Sequence, residues 1–577
     1  MPKPTKPNSQ SFSALNDECR TTKWRQLSAI LIVAICLTLA PVLRLFVEGV
    51  TDQGSPSLTL MRDVLAQPST LSALKHSLVT AGFGTLVSLV LGAAFAFLVA
   101  LTDLRAKAAL VFCLMIPMMI PPQITALSWT QIMGPSSVLL KTLGIAPPLG
   151  APQPLYSPQG IIFLLGIQHM SIIFLTLRAG LRSIPQDVVE AARISGAKGL
   201  RTWWQVVMPL TLPSLAAGTA ITFVTALGNF GIPAMLGIPA GYATLPTLVY
   251  QKLAGMGTTV LAEVSVLAML IGAVAVAGIL LQRLCQSRQR LHLVGSTSRP
   301  LALPLGAARL PVEILLWAVV FAILVLPMFG LLATSLVPAY GVTLRFDTVT
   351  LASWYEVLFR QPVTSRAFAN SFGLAAGASA VLVMICLPLA WLMERRKTRL
   401  ARLFDSLLDL PYALPGVVLS IAMILLLIKL PFTEATLYGT IWIIFLAYLA
   451  RFFAVMFRPV QASLKQFDPA MDEAAQSVGA SLYRRLRDVI FPLSAPAAAA
   501  GAILVFLTAF NELTVSALLW SSGTETLGVV IFNLDDSGET SMASALAMTI
   551  VFVVIVLMAL IQLFSRRFPK GVVPWQT

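Results

Sequence analysis

The sequence predicts an all-α polytopic membrane protein with about twelve transmembrane helices, arranged as two homologous six-helix halves. Three observations predict this. First, 57% of the residues are hydrophobic and only 11% are charged, whereas a soluble domain carries about 25% charge, and the mean hydropathy is +0.84. Second, apolar runs of about 20 residues, enough to cross a hydrocarbon core of about 30 Å, recur along the whole chain. Third, one loop pattern occurs twice with every interval preserved.

The elements follow in order. A hydrophilic leader, residues 1–26, carries Lys3, Lys6, Arg20, Lys23 and Arg25. The apolar run beginning near Leu27 lacks a convincing small-residue cleavage site, so a retained helix is expected rather than a secretory signal. Further spans start near Ser77, Ala108, Gly160, Pro209 and Leu261, completing a first half over 27–285. A linker at 286–310 follows. The second half, 311–577, has spans from near Pro311, Ser371, Leu403, Gly439, Pro492 and Ser541.

With both termini placed in the cytoplasm, about 31 of the 40 lysines and arginines fall at the inner ends of these spans. Net charge of +15 is thus an orientation signal, and nucleic-acid binding is not needed to explain it. Clusters such as Arg395, Arg396, Lys397, Arg399 and Arg402, or Arg566, Arg567 and Lys570, fit ordinary juxtamembrane positive charge facing membrane lipid. The five cysteines show no C-x-x-C spacing, and the three histidines, His76, His169 and His292, lie far apart. No local metal-ligand motif is present.

The repeat is the most informative feature. Glu190-Ala191-Ala192 is followed by Gly196, Val206, Pro209, Leu210 and Pro213, and Glu473-Ala474-Ala475 by Gly479, Val489, Pro492, Leu493 and Pro496. Roughly 18 of 47 ungapped positions are identical between Glu190–Leu236 and Glu473–Leu519. A weaker pair, IPMMIP (Ile116 to Pro121) and LPYALP (Leu410 to Pro415), occupies the third span of each half. Each half has an even number of spans, so the repeats share one orientation and a pathway is expected between them.

The repeated loops, 178–208 and 458–491, join the fourth and fifth spans of each half. Each begins with a short helix-prone stretch in which paired alanines let a partner surface approach closely. Glu190 and Glu473 offer that partner a carboxylate for an arginine. Gly196 and Gly479 are expected to end the helices in a left-handed conformation. A basic and aromatic run, GLRTWWQVV or LYRRLRDVI, then leads to Pro209 or Pro492. A loop helix that only packs under its own bundle is the bland alternative, and the second copy with identical spacing counts against it.

These residues resemble the EAA signature of permease subunits of binding-protein-dependent ABC importers. Met208 and Phe491 stand where that signature usually has leucine. The resemblance covers nearly all of the chain except the leader and the linker, and it implies the type I importer permease fold. It implies that Glu190, Ala191, Ala192 and Gly196 contact one ATPase subunit, and Glu473, Ala474, Ala475 and Gly479 a second. Two fused halves, and the stretch Phe510 to Gly538, resemble most the single-chain ferric-iron and thiamine permeases. The implied function is iron(III) uptake, with thiamine, phosphonate or polyamine as alternative cargoes, and an external solute-binding protein as a further partner. The chain has no G-x-x-x-x-G-K-[ST] and no Gly-Lys pair, so ATP and Mg belong to the partner ATPase; no cofactor is expected on this chain and it is not itself an enzyme.

Ionisable or strongly polar groups inside a span are costly and are read as functional candidates. Asn511 and Glu512 in the eleventh span, and Asn229 at the position equivalent to Glu512, are the expected pathway-lining residues. Glu512 could instead lie close enough to the outer surface to be solvated or ion-paired. Glu525, Asp535, Asp536 and Glu539 could supply hard oxygen ligands to a ferric cargo, salt bridges to a binding protein, or a solvated loop. The rival class is an ion-coupled secondary transporter, also built from two six-span halves. The repeated EAA loops speak against it, as does TDLRAKAA in place of that group's G-x-x-x-D-R-x-G-R-R loop.

Overall fold

The computed structural model describes residues 32–52, 55–56, 58–182, 184, 186–196, 201, 203–255, 260–287, 305–395, 405, 408, 411, 414–429 and 435–564. In the first half these form α1 (Ile32–Val50), α2 (Pro68–Leu101), α3 (Lys107–Met119), α4 (Pro122–Ile132), α5 (Pro158–Arg182), α6 (Gln186–Ile194), α7 (Trp203–Leu227), α8 (Gly231–Gly237), α9 (Leu245–Leu253) and α10 (Val260–Ser287). The second half continues with α11 (Gly306–Ser335), α12 (Pro362–Arg395), α13 (Gly416–Leu427), α14 (Ile441–Leu464), α15 (Pro469–Ser477), α16 (Leu482–Phe510), α17 (Ser516–Leu519), α18 (Leu527–Asp536) and α19 (Thr540–Phe564).

Among the described residues ten helices are long and apolar enough to cross a membrane, and the apolar pair α3 and α4, bent by 101°, brings the number to eleven when it is counted as one span. The remaining expected span, from near Leu403, is represented by the shorter apolar helix α13, and most of the chain just before it lies outside the described residues. The all-α membrane fold therefore stands. The only strands among the described residues are a two-residue pair, Thr51–Asp52 and Ser55–Pro56.

Proline shapes these spans in a regular way. Among the described residues four five-residue π-turns occur, at Trp203–Val207, Phe321–Val325, Glu356–Arg360 and Leu486–Ile490. Each ends two residues before a proline: Pro209, Pro327, Pro362 and Pro492. Proline has no N–H and its ring collides with the carbonyl four residues back. Widening the preceding turn moves that carbonyl aside, as π-bulges do in helices that cannot keep a regular ladder.

The repeat also appears as repeated contacts. Helices α2 and α12 each have 34 residues and start at Pro68 and Pro362. At matching places, Ser77 Oγ accepts from Leu245 N at 2.7 Å and Ser371 Oγ from Leu527 N at 3.0 Å. One residue earlier, His76 Nδ1 is hydrogen-bonded to Ala243 O at 2.9 Å, and Asn370 Nδ2 donates to Glu525 O at 2.9 Å. A helix start leaves orphan N–H groups, and here a hydroxyl of the long helix meets one of them in each half. His76 is thus used structurally.

The chain divides into two compact units. One comprises Met1–Leu43, Leu374–Tyr412 and Phe445–Ala509, with Tyr448, Phe453 and Phe457 fully buried in it. The other comprises Arg44–Gly373, Ala413–Ile444 and Phe510–Thr577. In this second unit α2 and α5 pack along their length through small residues. A Cβ on Gly166 would lie 2.3 Å from Val87 Cγ1, and Ser88 Oγ donates to Gly166 O at 2.8 Å, the close backbone approach that packs helices in lipid.

Candidate functional site

The repeated loops form two short helices, α6 and α15. Glu190 and Ala191 are exposed and Ala192 half-buried; Glu473 and Ala474 are exposed and Ala475 half-buried. Beside the carboxylates stand two apolar side chains, Ile194 at 88% and Val478 at 83% exposure. Gly196 has φ +88° and Gly479 φ +77°, and nothing lies within 4 Å of a Cβ built on either. The left-handed backbone, and not lack of space, therefore calls for glycine here. The opposite face of each helix is held down by the residue before the glutamate, Val189 at 1% exposure and Asp472 at 4%. Each loop thus presents a carboxylate, small residues and one apolar side chain outward.

A second constellation lies in the larger unit, where spans are broken. Between α3 and α4 the chain has Pro121 and Pro122, which cannot donate, so helical carbonyls before them are left over. Gln168 of α5, 5% exposed, supplies the missing donors. Its Nε2 donates to Pro117 O at 2.7 Å and to Ile120 O at 3.1 Å, while its Oε1 accepts from Thr125 Oγ1 at 2.7 Å. Irregular backbone inside a membrane needs such internal partners.

The break between α7 and α8 is closed by Asn229, whose Oδ1 accepts from Ile232 N at 3.1 Å. At the equivalent place Glu512 Oε1 accepts from Val515 N at 2.8 Å ahead of α17. Both oxygens therefore close the turn that leads into the next short helix. Asn511 reaches across the repeat and donates from Nδ2 to Met119 O at 3.0 Å. Its equivalent, Gly228, makes the reciprocal contact: a Cβ there would lie 2.6 Å from Pro415 Cβ. So the broken fifth span of each half meets a residue of the other half's third-span motif, Met119 of IPMMIP and Pro415 of LPYALP. Gln123, fully buried at this crossing, has no hydrogen-bond partner among the described residues for either amide atom and would lie 3.1 Å from a Cβ on Gly528.

Residues 64–290 and 386–572 match the family of binding-protein-dependent transport system inner membrane components, once in each half. The chain belongs to that family. Among similar proteins are a probable ABC transporter permease of Sinorhizobium fredii, 28% identical over 72% of this chain and 73% of that one; a ferric transport system permease of Actinobacillus pleuropneumoniae, 24% identical over 94% and 79%; and an Fe(3+)-transport system permease of Haemophilus influenzae, 24% identical over 92% and 96%. An ion-coupled carrier is thereby set aside.

In this permease the four carboxylates read as possible cargo ligands do not gather. Glu525, 6% exposed, accepts from Gly523 N at 2.9 Å and pairs with Arg366 at 3.6 Å, which makes it part of its own turn. Asp535 is half-buried beside Thr540, and burial, with Asp536 next to it, pushes its carboxyl up to about 6 against the Thr540 hydrogen bond. Asp536 and Glu539 are exposed. Among the described residues no group of three or more His, Cys, Asp or Glu is placed to hold a metal ion. Gln123 and Gln168 are the polar groups that sequence inspection passed over. Their signal was an amide directly after a double proline and an amide within a 25-residue apolar helix.

Proposed function

We propose that this permease forms the membrane pathway of a ferric-ion importer driven by two ABC ATPase subunits, each docked on one EAA loop, with cargo delivered by a solute-binding protein. The observation that carries the docking role is the duplicated outward surface, Glu190 with Ile194 and Glu473 with Val478, closed in both copies by a left-handed glycine. A carboxylate beside exposed apolar and small residues suits a groove bearing an arginine. ATP binding draws the two loops together and opens the pathway toward the binding protein; hydrolysis by the partner returns it. This chain binds neither ATP nor a cofactor of its own.

The division into halves at 27–285 and 311–577 around the linker, with both termini cytoplasmic, fits this use, because it puts both loops on the ATPase side with most of the basic residues. Asn511, Gly228 and Gln123 at the crossing of the broken spans belong to the part that must open. Asn229 and Glu512 shape it by closing the turns after the fifth spans. Iron is favoured as cargo by the ferric permeases that resemble the chain over most of its length. Uptake of radiolabelled Fe(III), thiamine, aminoethylphosphonate and spermidine by cells expressing the permease with its ATPase and binding protein tests this. Iron uptake that stops when ATP hydrolysis is blocked is the expected result; uptake of another of the four in its place rejects iron.

A further inference from the structure

We propose that Asp472 is the positioning residue of an ionic joint that makes the second EAA helix and the end of α12 move as one body, a joint that the first half builds from apolar contacts. This rests on the reading of the EAA helices as ATPase docking sites. The joint gathers three segments. From α15 comes Asp472 and from the start of α16 Arg485, whose Nε donates to Oδ1 at 2.7 Å and whose Nη2 donates to Oδ2 at 2.6 Å. From the last turn of α12 come Trp391, whose Nε1 donates to Oδ2 at 3.2 Å, and Arg395, which ion-pairs with the same carboxylate. The two guanidinium carbons lie 5.6 and 5.4 Å from the Trp391 ring centre. Asp472 and Arg485 are 4% and 7% exposed. Burial alone would raise the Asp472 carboxyl, but the hydrogen bonds and charges of Arg485, then Arg395 and Trp391, hold it below the usual carboxylate range.

The repeat supplies the comparison. Asp472 and Arg485 correspond to Val189 and Thr202, and the alignment of α2 with α12 sets Phe97 and Leu101 opposite Trp391 and Arg395. Val189 and Leu101 are 1% and 3% exposed, and the Phe97 ring meets Trp203 edge-on at 4.5 Å. The first half thus has buried apolar side chains at these positions and a ring contact between the end of α2 and the start of α7, and burial has no preferred direction. The joint of the second half is held by a bidentate pair with a stacked indole, which fixes angle as well as distance. Glu473 and Val478 are exposed and lie outside this network, so docking does not depend on it. A push on the second EAA helix is passed to α12 through Asp472, and without it the ATPase cycle runs while α12 lags.

The test uses the complex of the permease with its ATPase subunits in proteoliposomes, supplied with binding protein loaded with radiolabelled Fe(III). Asp472→Asn should keep ATPase co-purification and hydrolysis within about twofold of the parent while iron taken up per ATP falls about tenfold, and Asp472→Glu should recover most of it. Hydrolysis and uptake falling together, or an unchanged ratio, overturns the proposal. If Asp472→Asn does not assemble, Arg395→Ala removes the half-exposed arm and spares the Arg485 pair. Its expected effect is about a threefold lower ratio, and an unchanged ratio again overturns the proposal. Absence of iron uptake by the parent complex would instead count against the proposed function.

Discussion

Gln168→Leu tests how the broken span is held. The substitution keeps side-chain volume nearly constant, so packing changes little. What it removes is the set of three hydrogen bonds at 2.7, 3.1 and 2.7 Å to Pro117 O, Ile120 O and Thr125 Oγ1. The two carbonyls cannot turn to their own helix for replacement, because Pro121 offers no N–H and α4 already starts at Pro122. In membrane proteins a buried side-chain hydrogen bond is worth about 0.6 kcal/mol on average and at most about 1.7. Three lost together amount to about 2–5 kcal/mol, and the upper part of that range applies because unmet buried carbonyls carry their own desolvation cost. The permease purified in detergent should therefore melt about 2–4 °C lower by scanning fluorimetry. Melting within about 1 °C of the parent, with normal uptake, would refute the claim that this amide sustains the break.

Two further predictions follow from the geometry. Gly228→Val places a Cβ 2.6 Å from Pro415 Cβ, an overpacking of about 1–3 kcal/mol at the crossing of the halves; uptake should collapse, whereas Gly82→Ala, with nothing within 4 Å, should transport normally. Asp535 has a folded-state pKa of about 6 against an ordinary 3.8, so the folded permease holds the proton more tightly and stability should fall as pH rises from about 4 to about 6. Asp535→Asn should flatten that slope in a plot of melting temperature against pH and raise stability above pH 6; a slope identical to the parent's would contradict it.

The sequence made the spans and the duplicated loops legible because both are one-dimensional signals. Lipid demands unbroken apolar length, and a repeat needs only matched intervals. The left-handed glycines at 196 and 479 were legible for the same reason: a single backbone requirement permits few residue types. The pathway was less so. Asn229 and Glu512 drew notice as polar groups in spans, yet their oxygens close the turns that lead into α8 and α17, a role set by helix breaks that hydropathy does not register. Gln168 acts tens of residues away from the carbonyls it serves, and Gln123 faces Gly528 of the other half. Nothing in the sequence sets Asp472 apart, and Arg395 reads as one more juxtamembrane charge. Only the packing of three segments around Trp391 distinguishes them. The π-turns ahead of four prolines follow a rule that can be carried back to sequence, since each stands two residues before the ring.

The central claim is that one chain docks two ATPase subunits through two equivalent loops, and native mass spectrometry of the purified complex tests it most directly. The account predicts two ATPase subunits per permease in the parent, one when either Glu190 or Glu473 is changed to Arg, and none when both are. Retention of two subunits in the double variant, or a parent complex without any, would contradict it.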